Sequence, residues 1–339
     1  MQSSVKKTNL IKIAVLVVLA LLSIAGFLFY NIQGGFSYAF PKRVVRVLAM
    51  IVTGIAIAYA TVMFQTVTRN RILTPSIIGV DSMYEVVQTV IFFFLGSASI
   101  FVVSRYLNFG VSLIAMVLFA LLLYRFLFRA DKYPIYLLLL AGMVIGTLLG
   151  SFVTFLQVII DPVEYLSLET RLFASFNNVN GDLLLFAAII LVVAFIWGAT
   201  MMKDLDVMSL GRDVSLNLGV NYDKRVLNVL VLSSILLATS TALVGPITFL
   251  GLIVANLSYQ FLATYKHSVL ILGASLISII ALVGGQFLVL HVFDLNTTIS
   301  VIINFIGGLY FIYLLLKESR SAGWSKLKGF LNFLRKNLL

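Results

Sequence analysis

The sequence predicts an all-α polytopic membrane protein with about ten transmembrane helices. The chain of 339 residues is 61% hydrophobic and only 11% charged, whereas a soluble domain carries about 25% charged residues. Long charge-free stretches separate the few charges, and the basic residues are unevenly shared between alternate loops. This composition argues against a soluble enzyme, a disordered protein or a nucleic-acid-binding domain, because the net charge of +11 has no soluble face to occupy.

Each transmembrane element is predicted from a gap between charges. A helix that crosses the hydrocarbon core needs roughly 20 apolar residues, and an ionised side chain at its centre costs roughly 2.5–3.5 kcal/mol on insertion scales. The stretch 226–265 is about twice that length and contains the Gly245-Pro246 break, so it is counted as two helices. The predicted spans are 13–41, 47–68, 86–104, 106–124, 137–160, 183–202, 226–265 (two), 268–293 and 295–316.

Ten spans place both termini on one side, and the basic residues indicate which side. If the N-terminus is cytoplasmic, the inner segments hold 19 of the 24 Lys and Arg residues, as the positive-inside rule requires. The stretch 10–30 is too long for the apolar core of a signal peptide and no small-residue cleavage site follows it, so it is predicted to be the first transmembrane helix. The inner segments are 1–12, 65–76, 125–134, 203–225, 264–268 and 317–339.

Catalytic and energy-coupling motifs are absent from the sequence. There is no Cys, no Gly-Lys dipeptide for a Walker A loop and no His-Glu-x-x-His. His267 and His291 lie far apart, and a hydrogen-bonded interfacial role is the simpler interpretation of each. No predicted span has an acid or base near its middle, which weakens an ion-coupled carrier, although amides and carbonyls can also coordinate ions. We expect no catalytic residue, no metal site and a transporter energised by a partner.

The segment 203–225 is the longest internal polar loop, with four acids and four bases. Gly211 and Gly219 interrupt it and predict two short helices joined by a turn. Such a segment either docks in a groove of a partner or is a solvated loop with some interfacial packing. Its apolar residues follow helical spacing, at Val207, Leu210, Val214 and Leu218.

Within this loop, GRDVSLNLGVN resembles the coupling segment of the FecCD-type permeases, the membrane subunits of ABC importers for iron–siderophores, haem and vitamin B12. Ser215 stands where a small residue, often Ala, is usual. The resemblance implies that this segment contacts a cytoplasmic ATPase. The residues assigned to that contact are Gly211, Arg212, Ser215, Leu218, Gly219 and Val220.

Four further segments resemble the same family in the same order, so that the resemblance covers roughly residues 10–318. They are KRVVRVLAMIVTGIAIAYATVMFQTVTRNRILTPSIIGV, RLFASFNNVNGD, LVGPITFLGLIVANL and NTTISVIINFIGGLYFIYLLLK. Departures mark a divergent branch within the iron–siderophore group: Asn70-Arg71 replaces Asn-Pro, Ala255-Asn256 replaces Pro-His, Met83-Tyr84 replaces Gly-Ala, and Gln286 aligns with an outer Arg.

The resemblance implies a FecCD/BtuC-like permease fold with both termini cytoplasmic and a function in import of an iron–siderophore complex. Haem or vitamin B12 is the alternative substrate, an ion-coupled secondary transporter the alternative mechanism, and a polytopic lipid enzyme a third class. The implied partners are a second permease chain, identical or similar, two cytoplasmic ABC ATPase subunits and an extracytoplasmic substrate-binding protein. The chain itself is expected to bind no cofactor, with ATP-Mg held by the partner ATPase.

Three of the five predicted outer basic residues cluster at Lys42, Arg43 and Arg46. Snorkelling of these side chains at a helix end is the ordinary interpretation. The family resemblance instead implies that the Arg pair receives acidic residues of the binding protein, which suits the bidentate Arg–carboxylate contact. We therefore predict a docking site at Lys42, Arg43 and Arg46.

Uncharged polar residues are candidates for the translocation path, although hydrogen bonding between helices explains each of them equally well. Gly142, Gly146 and Gly150 have the spacing that allows close helix packing. The predicted domains are a permease domain over 1–318 and a basic amphipathic tail over 319–339, which reads as an interfacial helix on an anionic leaflet. The path candidates are Gln65, Asn70, Gln88, Gln157, Asn256 and Gln286.

Overall fold

A computed structural model describes residues 2–31, 36–128, 135–177, 179–292 and 298–317. These ranges contain helices and no strands, which confirms the all-α prediction. The predicted tail over 319–339 lies outside the described residues. The helices are α1 Gln2–Phe29, α2 Phe36–Thr68, a 3₁₀ helix Pro75–Ile78, α3 Val80–Leu95, α4 Ile100–Val103, α5 Arg105–Phe128, α6 Ile135–Ile159, α7 Pro162–Leu172, α8 Gly181–Ala199, α9 Met202–Met208, α10 Arg212–Asn217, α11 Tyr222–Val244, α12 Leu250–Phe261, α13 His267–His291 and α14 Ile299–Lys317.

Eight helices in the described ranges are long and apolar enough to cross a membrane, namely α1, α2, α5, α6, α8, α11, α13 and α14. The other two predicted spans form shorter helices: α3 has 16 residues and α12 has 12. The charge-free stretch 86–104 is divided because Gly96, with φ of 72°, ends α3 before α4 begins. Apolar composition located all ten helices, but it overestimated the length of two. It also misplaced the boundary between the first two spans, because α2 begins at Phe36, inside the predicted span 13–41. The cytoplasmic placement of both termini stays a prediction.

Helices α2 and α11 form the centre of the bundle, each with 78% of its most apolar window buried. Helix α2 packs against α11, α12 and α13. At Gly54 an added Cβ would lie 2.9 Å from the Ser278 hydroxyl of α13, so glycine permits the close approach of these two helices. The core is therefore built around α2, α11 and α13.

The outer helices expose large apolar side chains in a continuous patch of a kind that soluble proteins rarely present to water. Helix α8, for example, buries only 33% of its most apolar window. Such a surface suits the hydrocarbon of a bilayer, as a polytopic membrane protein requires. Its exposed residues are Leu185, Phe186, Ile189, Val192, Val193 and Ile196.

The glycine stripe of α6 packs closely at two of its three positions. A Cβ added to Gly142 would lie 2.9 Å from the Cα of Ile78, and one added to Gly146 would lie 3.2 Å from the Cα of Gly79. At Gly150 no described heavy atom lies within 4 Å. The close-packing prediction is thus confirmed for Gly142 and Gly146, which pack against Ile78 and Gly79, and stays a prediction for Gly150.

Two acids lie in helix α3, which begins at Val80, before the predicted start of this span at residue 86. Asp81 is buried, and its Oδ1 accepts a hydrogen bond of 3.0 Å from the Thr241 hydroxyl of α11. Glu85 follows one turn later. The predicted span began after Glu85 because ionised side chains are costly within a bilayer, whereas α3 includes both acids in its first turns.

Gly245 is the residue whose replacement should most directly strain this fold. It ends α11 with φ of 99°, and an added Cβ would lie 2.9 Å from the Cα of Ala174. We expect Gly245→Ala to destabilise the detergent-solubilised protein by roughly 1–3 kcal/mol, the usual cost of such backbone strain. The matched control is Gly284→Ala in helix α13, where an added Cβ would have no described heavy atom outside its own helix turn within 4 Å. Thermal unfolding of both variants checks this, and equal midpoints would contradict it.

Candidate functional site

The predicted docking residues and the predicted ATPase contact lie toward opposite ends of α2. Its 33 residues span about 50 Å at 1.5 Å per residue. Arg43 and Arg46 lie near its first turns, which we call the Arg43 end. Thr66 lies in its last turn and contacts His267, which in turn contacts the segment 203–225. The opposite end is therefore called the 203–225 end.

Arg43 caps the C-terminal end of α1. Its Nη1 donates to the carbonyl oxygens of Phe27 at 2.9 Å and Tyr30 at 2.7 Å, and its Nη2 donates to that of Asn31 at 2.9 Å. The last carbonyl groups of a helix have no partner within it, and a cation also suits the negative end of the helix dipole. Arg43 therefore has a structural role that neither snorkelling nor docking predicted.

Arg46 and Gln286 meet at one residue. Arg46 donates from Nη2 to the Asn177 carbonyl oxygen at 3.2 Å, and Gln286 donates from Nε2 to the Asn177 side-chain oxygen at 3.3 Å. Gln286 is buried, whereas Lys42 is exposed and bonds to the Tyr38 hydroxyl. The structure therefore brings Arg46 and Gln286 together through Asn177. The binding-protein docking role of Lys42, Arg43 and Arg46 stays a prediction.

The segment 203–225 folds as two short helices, as its glycines predict. Gly211, with φ of 110°, lies between α9 and α10, and Gly219, with φ of 83°, follows α10. These left-handed conformations favour glycine. Buried Ser215 donates from Oγ to the carbonyl oxygens of Gly211 at 2.6 Å and Val207 at 3.2 Å. The hydrogen bond of Ser215 to Val207 therefore connects α10 to α9.

The surface of this segment is apolar at three of the four positions of the amphipathic pattern, Leu210, Val214 and Leu218. Val207 is half-buried. Arg212 forms an exposed ion pair of 3.1 Å with Asp223, and Val220 is half-buried. An apolar surface on a polar loop is typical of a protein docking site. Its exposed large apolar residues are Leu210, Val214, Leu216 and Leu218.

Two acids of α9 attach this short helix to the transmembrane helices α11 and α13. Asp204 pairs with Arg225 of α11 at 2.5 Å. Asp206 Oδ1 accepts from the backbone N–H of His267 at 2.7 Å and from its Nδ1 at 2.6 Å, at the start of α13. No sequence pattern indicates these contacts, because Asp206 and His267 are 61 residues apart. His267 is hydrogen-bonded, as the simpler interpretation expected.

Four of the six path candidates are buried and hydrogen-bonded within the bundle. Gln65 and Asn256 both donate to the Arg71 carbonyl oxygen, at 2.7 and 2.8 Å. Gln88 exchanges hydrogen bonds with Asn108 and donates to Ser112, and Gln286 contacts Asn177 as above.

These contacts fit the hydrogen-bonding alternative for the four buried residues. Asn70 accepts from the Ile72 N–H in a local turn, and Gln157 is half-buried on α6. A role of any of the six in the translocation path stays a prediction.

A cavity of about 370 Å³ adjoins the 203–225 end. Its lining brings Arg69 and Arg71 to the same opening, with Ser209 from the connection between α9 and α10. The Arg71 guanidinium lies over the Tyr259 ring, 4.6 Å from its centroid. This face is basic, as the predicted inner side should be.

Comparison with known proteins identifies the class. The chain is 52% identical over 315 residues to the petrobactin import system permease protein YclO of Bacillus subtilis (92% of this chain, 99% of the relative). It is 37% identical over 310 residues to the petrobactin import system permease protein FatC of Bacillus anthracis (89% and 87%). A solved inward-facing ABC transporter assigned to the metal-chelate type matches with a TM-score of 0.78 and 24% identity, covering 91% of this chain and 99% of that one.

The eight apolar helices and these relatives define a multi-pass cell-membrane permease of the kind found in ABC import systems. The FecCD transport family matches residues 10–317, and the chain belongs to that family. This confirms the resemblance drawn from the five segments.

Proposed function

We propose that this chain is the permease subunit of an ABC importer that carries an iron–siderophore complex into the cytoplasm. The observation that carries the proposal is its similarity along nearly the whole chain to a petrobactin import permease. Petrobactin, or a siderophore of the same class, is therefore the proposed substrate, ahead of haem and vitamin B12.

The energy for this transport comes from partner subunits. We propose that two cytoplasmic ABC ATPases bind ATP-Mg and that this chain binds no cofactor and hydrolyses nothing. The exposed apolar surface of the 203–225 segment supports a contact with an ATPase. An apolar groove of the ATPase would remove Leu210, Val214 and Leu218 from water. Closure of the ATPase pair would move this segment and switch the bundle between two states.

Two further partners complete the importer. A second permease chain, identical or similar, would form the pore with this one. A substrate-binding protein would dock at the Arg43 end through Lys42, Arg43 and Arg46, with both termini of the permease on the opposite, cytoplasmic side. The excess of basic residues in the predicted inner segments supports that orientation.

Competition for uptake tests the proposed substrate. Cells that express this permease with its ATPase and binding protein, and no other iron importer, should accumulate radioactive iron supplied as ferric petrobactin. Excess unlabelled ferric petrobactin should abolish this uptake, and haem or vitamin B12 should not. Cells that lack the permease alone provide the control. Accumulation of haem or vitamin B12 without that of ferric petrobactin would contradict the siderophore assignment.

A further inference from the structure

We propose that the contact between Asp206 and His267 is the joint through which the 203–225 segment moves helix α13, and that α13 carries this movement to the Arg43 end. The inference rests on the proposed function, because it assumes that a partner ATPase drives the segment. It assigns positioning roles to Asp206 and His267, neither of which was a candidate from the sequence.

The joint replaces the normal cap of a helix. Lys266, the residue before α13, provides no side-chain hydrogen bond to the helix. Instead the Asp206 carboxylate, from another helix, accepts from the first N–H of α13 at 2.7 Å. A carboxylate at this position satisfies an unpaired N–H and suits the positive end of the helix dipole. The start of α13 is therefore held by the 203–225 segment.

The imidazole makes this attachment stiffer. His267 is only 3% exposed. Its Nδ1 donates to Asp206 because the carboxylate can only accept, and its Nε2 bonds to the Thr66 hydroxyl of α2 at 2.8 Å. A buried polar group that loses its partner is costly. Movement of Asp206 should therefore draw His267 along rather than break the contact.

The 203–225 segment is itself tied together, so a push on α10 reaches Asp206. Ser215 of α10 bonds to the Val207 carbonyl oxygen of α9, directly beside Asp206. Leu205 and Met208, also in α9, are buried. The exposed apolar residues of α10 can thus receive a partner while α9 transmits the displacement.

Helix α13 reaches from this joint to the other end of the bundle. His267 and Gln286 are 19 residues apart in one helix, or about 28 Å at 1.5 Å per residue. Gln286 bonds to Asn177, whose carbonyl oxygen accepts from Arg46. One rigid element therefore connects the predicted ATPase contact to a predicted docking arginine, which is the physical continuity that coupling between the two sites requires.

Replacement of Asp206 tests the joint in the complete importer. In proteoliposomes with ATPase and binding protein, Asp206→Ala should lower the iron–siderophore transported per ATP hydrolysed by roughly tenfold, within the range of measured couplings between sites. Hydrolysis itself should continue. The matched control is Asp161→Ala, which removes another Asp cap, the one that accepts from Val163 N–H at the start of α7. A merely stabilising role of Asp206 would give both variants the same ratio.

Movement of α13 can be measured directly because the chain contains no Cys. A probe on Leu272→Cys, at an exposed position of α13, should change its signal when ATP binds. The change should persist with Asp161→Ala and disappear with Asp206→Ala. If Asp206→Ala fails to accumulate in the membrane, His267→Ala replaces it. That variant removes the imidazole and keeps the backbone bond, so a smaller loss in the same direction is expected.

The outcomes separate this inference from the proposed function. ATP-dependent uptake by the unmodified importer, together with an unchanged transport ratio and an unchanged probe signal in Asp206→Ala, would overturn the joint and leave the importer standing. Absence of ATP-dependent uptake by the unmodified importer would overturn the proposed function, and the joint with it.

Discussion

Leu218→Asp is expected to lower ATP-driven uptake by about thirtyfold, the effect of losing one strong interface contact of roughly 2 kcal/mol. Leu218 is 61% exposed, so its replacement should leave the fold intact. In the complex, however, an apolar groove of the ATPase would have to accept a carboxylate, which is costly unless the charge is paired. The loss of uptake should therefore result from weaker binding of the ATPase to the permease.

The experiment compares Leu218→Asp with Leu218→Met, which keeps an apolar side chain of similar volume. Retention of the ATPase by the tagged permease in detergent and ATP-dependent uptake in proteoliposomes are measured for both. Leu218→Met should retain at least half of each activity. Normal ATPase retention and uptake in Leu218→Asp would exclude this surface as the ATPase contact and leave the solvated-loop interpretation.

The double variant Arg43→Glu, Arg46→Glu is expected to abolish uptake. Two positive charges become negative at the surface proposed to receive acidic residues of the binding protein, so attraction turns into repulsion. Because Arg43 also holds the end of α1 and Arg46 contacts Asn177, a loss of stability could imitate a loss of docking. The design therefore needs a charge change that leaves those contacts alone.

Lys42→Glu provides that change, because Lys42 is exposed and, among the described residues, its side chain bonds to Tyr38 one turn away. We expect a several-fold loss of binding-protein affinity, most of it in the association rate and weaker at high salt. Thermal midpoint and affinity are measured for both variants. Normal uptake by the folded double variant would eliminate the docking role, and an unchanged affinity of Lys42→Glu would restrict any docking to the two arginines.

Local patterns predicted most of the fold. Charge-free stretches located the ten apolar helices because an unpaired charge within a bilayer is costly. Gly211 and Gly219 marked the breaks in the 203–225 segment because they adopt conformations that other residues avoid. The same reasoning mislocated the start of α3, since Asp81 lies inside this helix and accepts a hydrogen bond from Thr241, a residue 160 positions away.

The candidate sites were less predictable because their roles depend on contacts between distant residues. The exposed position of Leu218 follows from spacing and from the family segment. The attachment of Arg43 to the end of α1, the meeting of Arg46 and Gln286 at Asn177, and the Asp206–His267 contact follow only from the packing of helices. Sequence reasoning selected chemically suitable residues, but it could not distinguish a docking arginine from one that also caps a helix.

The central claim is that this permease is driven by a partner ATPase and supplied by a binding protein. Reconstitution into proteoliposomes tests it directly, with radioactive iron–siderophore outside and ATP inside. We predict uptake only when the permease, the ATPase and the binding protein are all present, and no effect of dissipating proton or sodium gradients. Uptake by the permease alone, driven by an imposed ion gradient and indifferent to ATP, would contradict the account and indicate a secondary transporter.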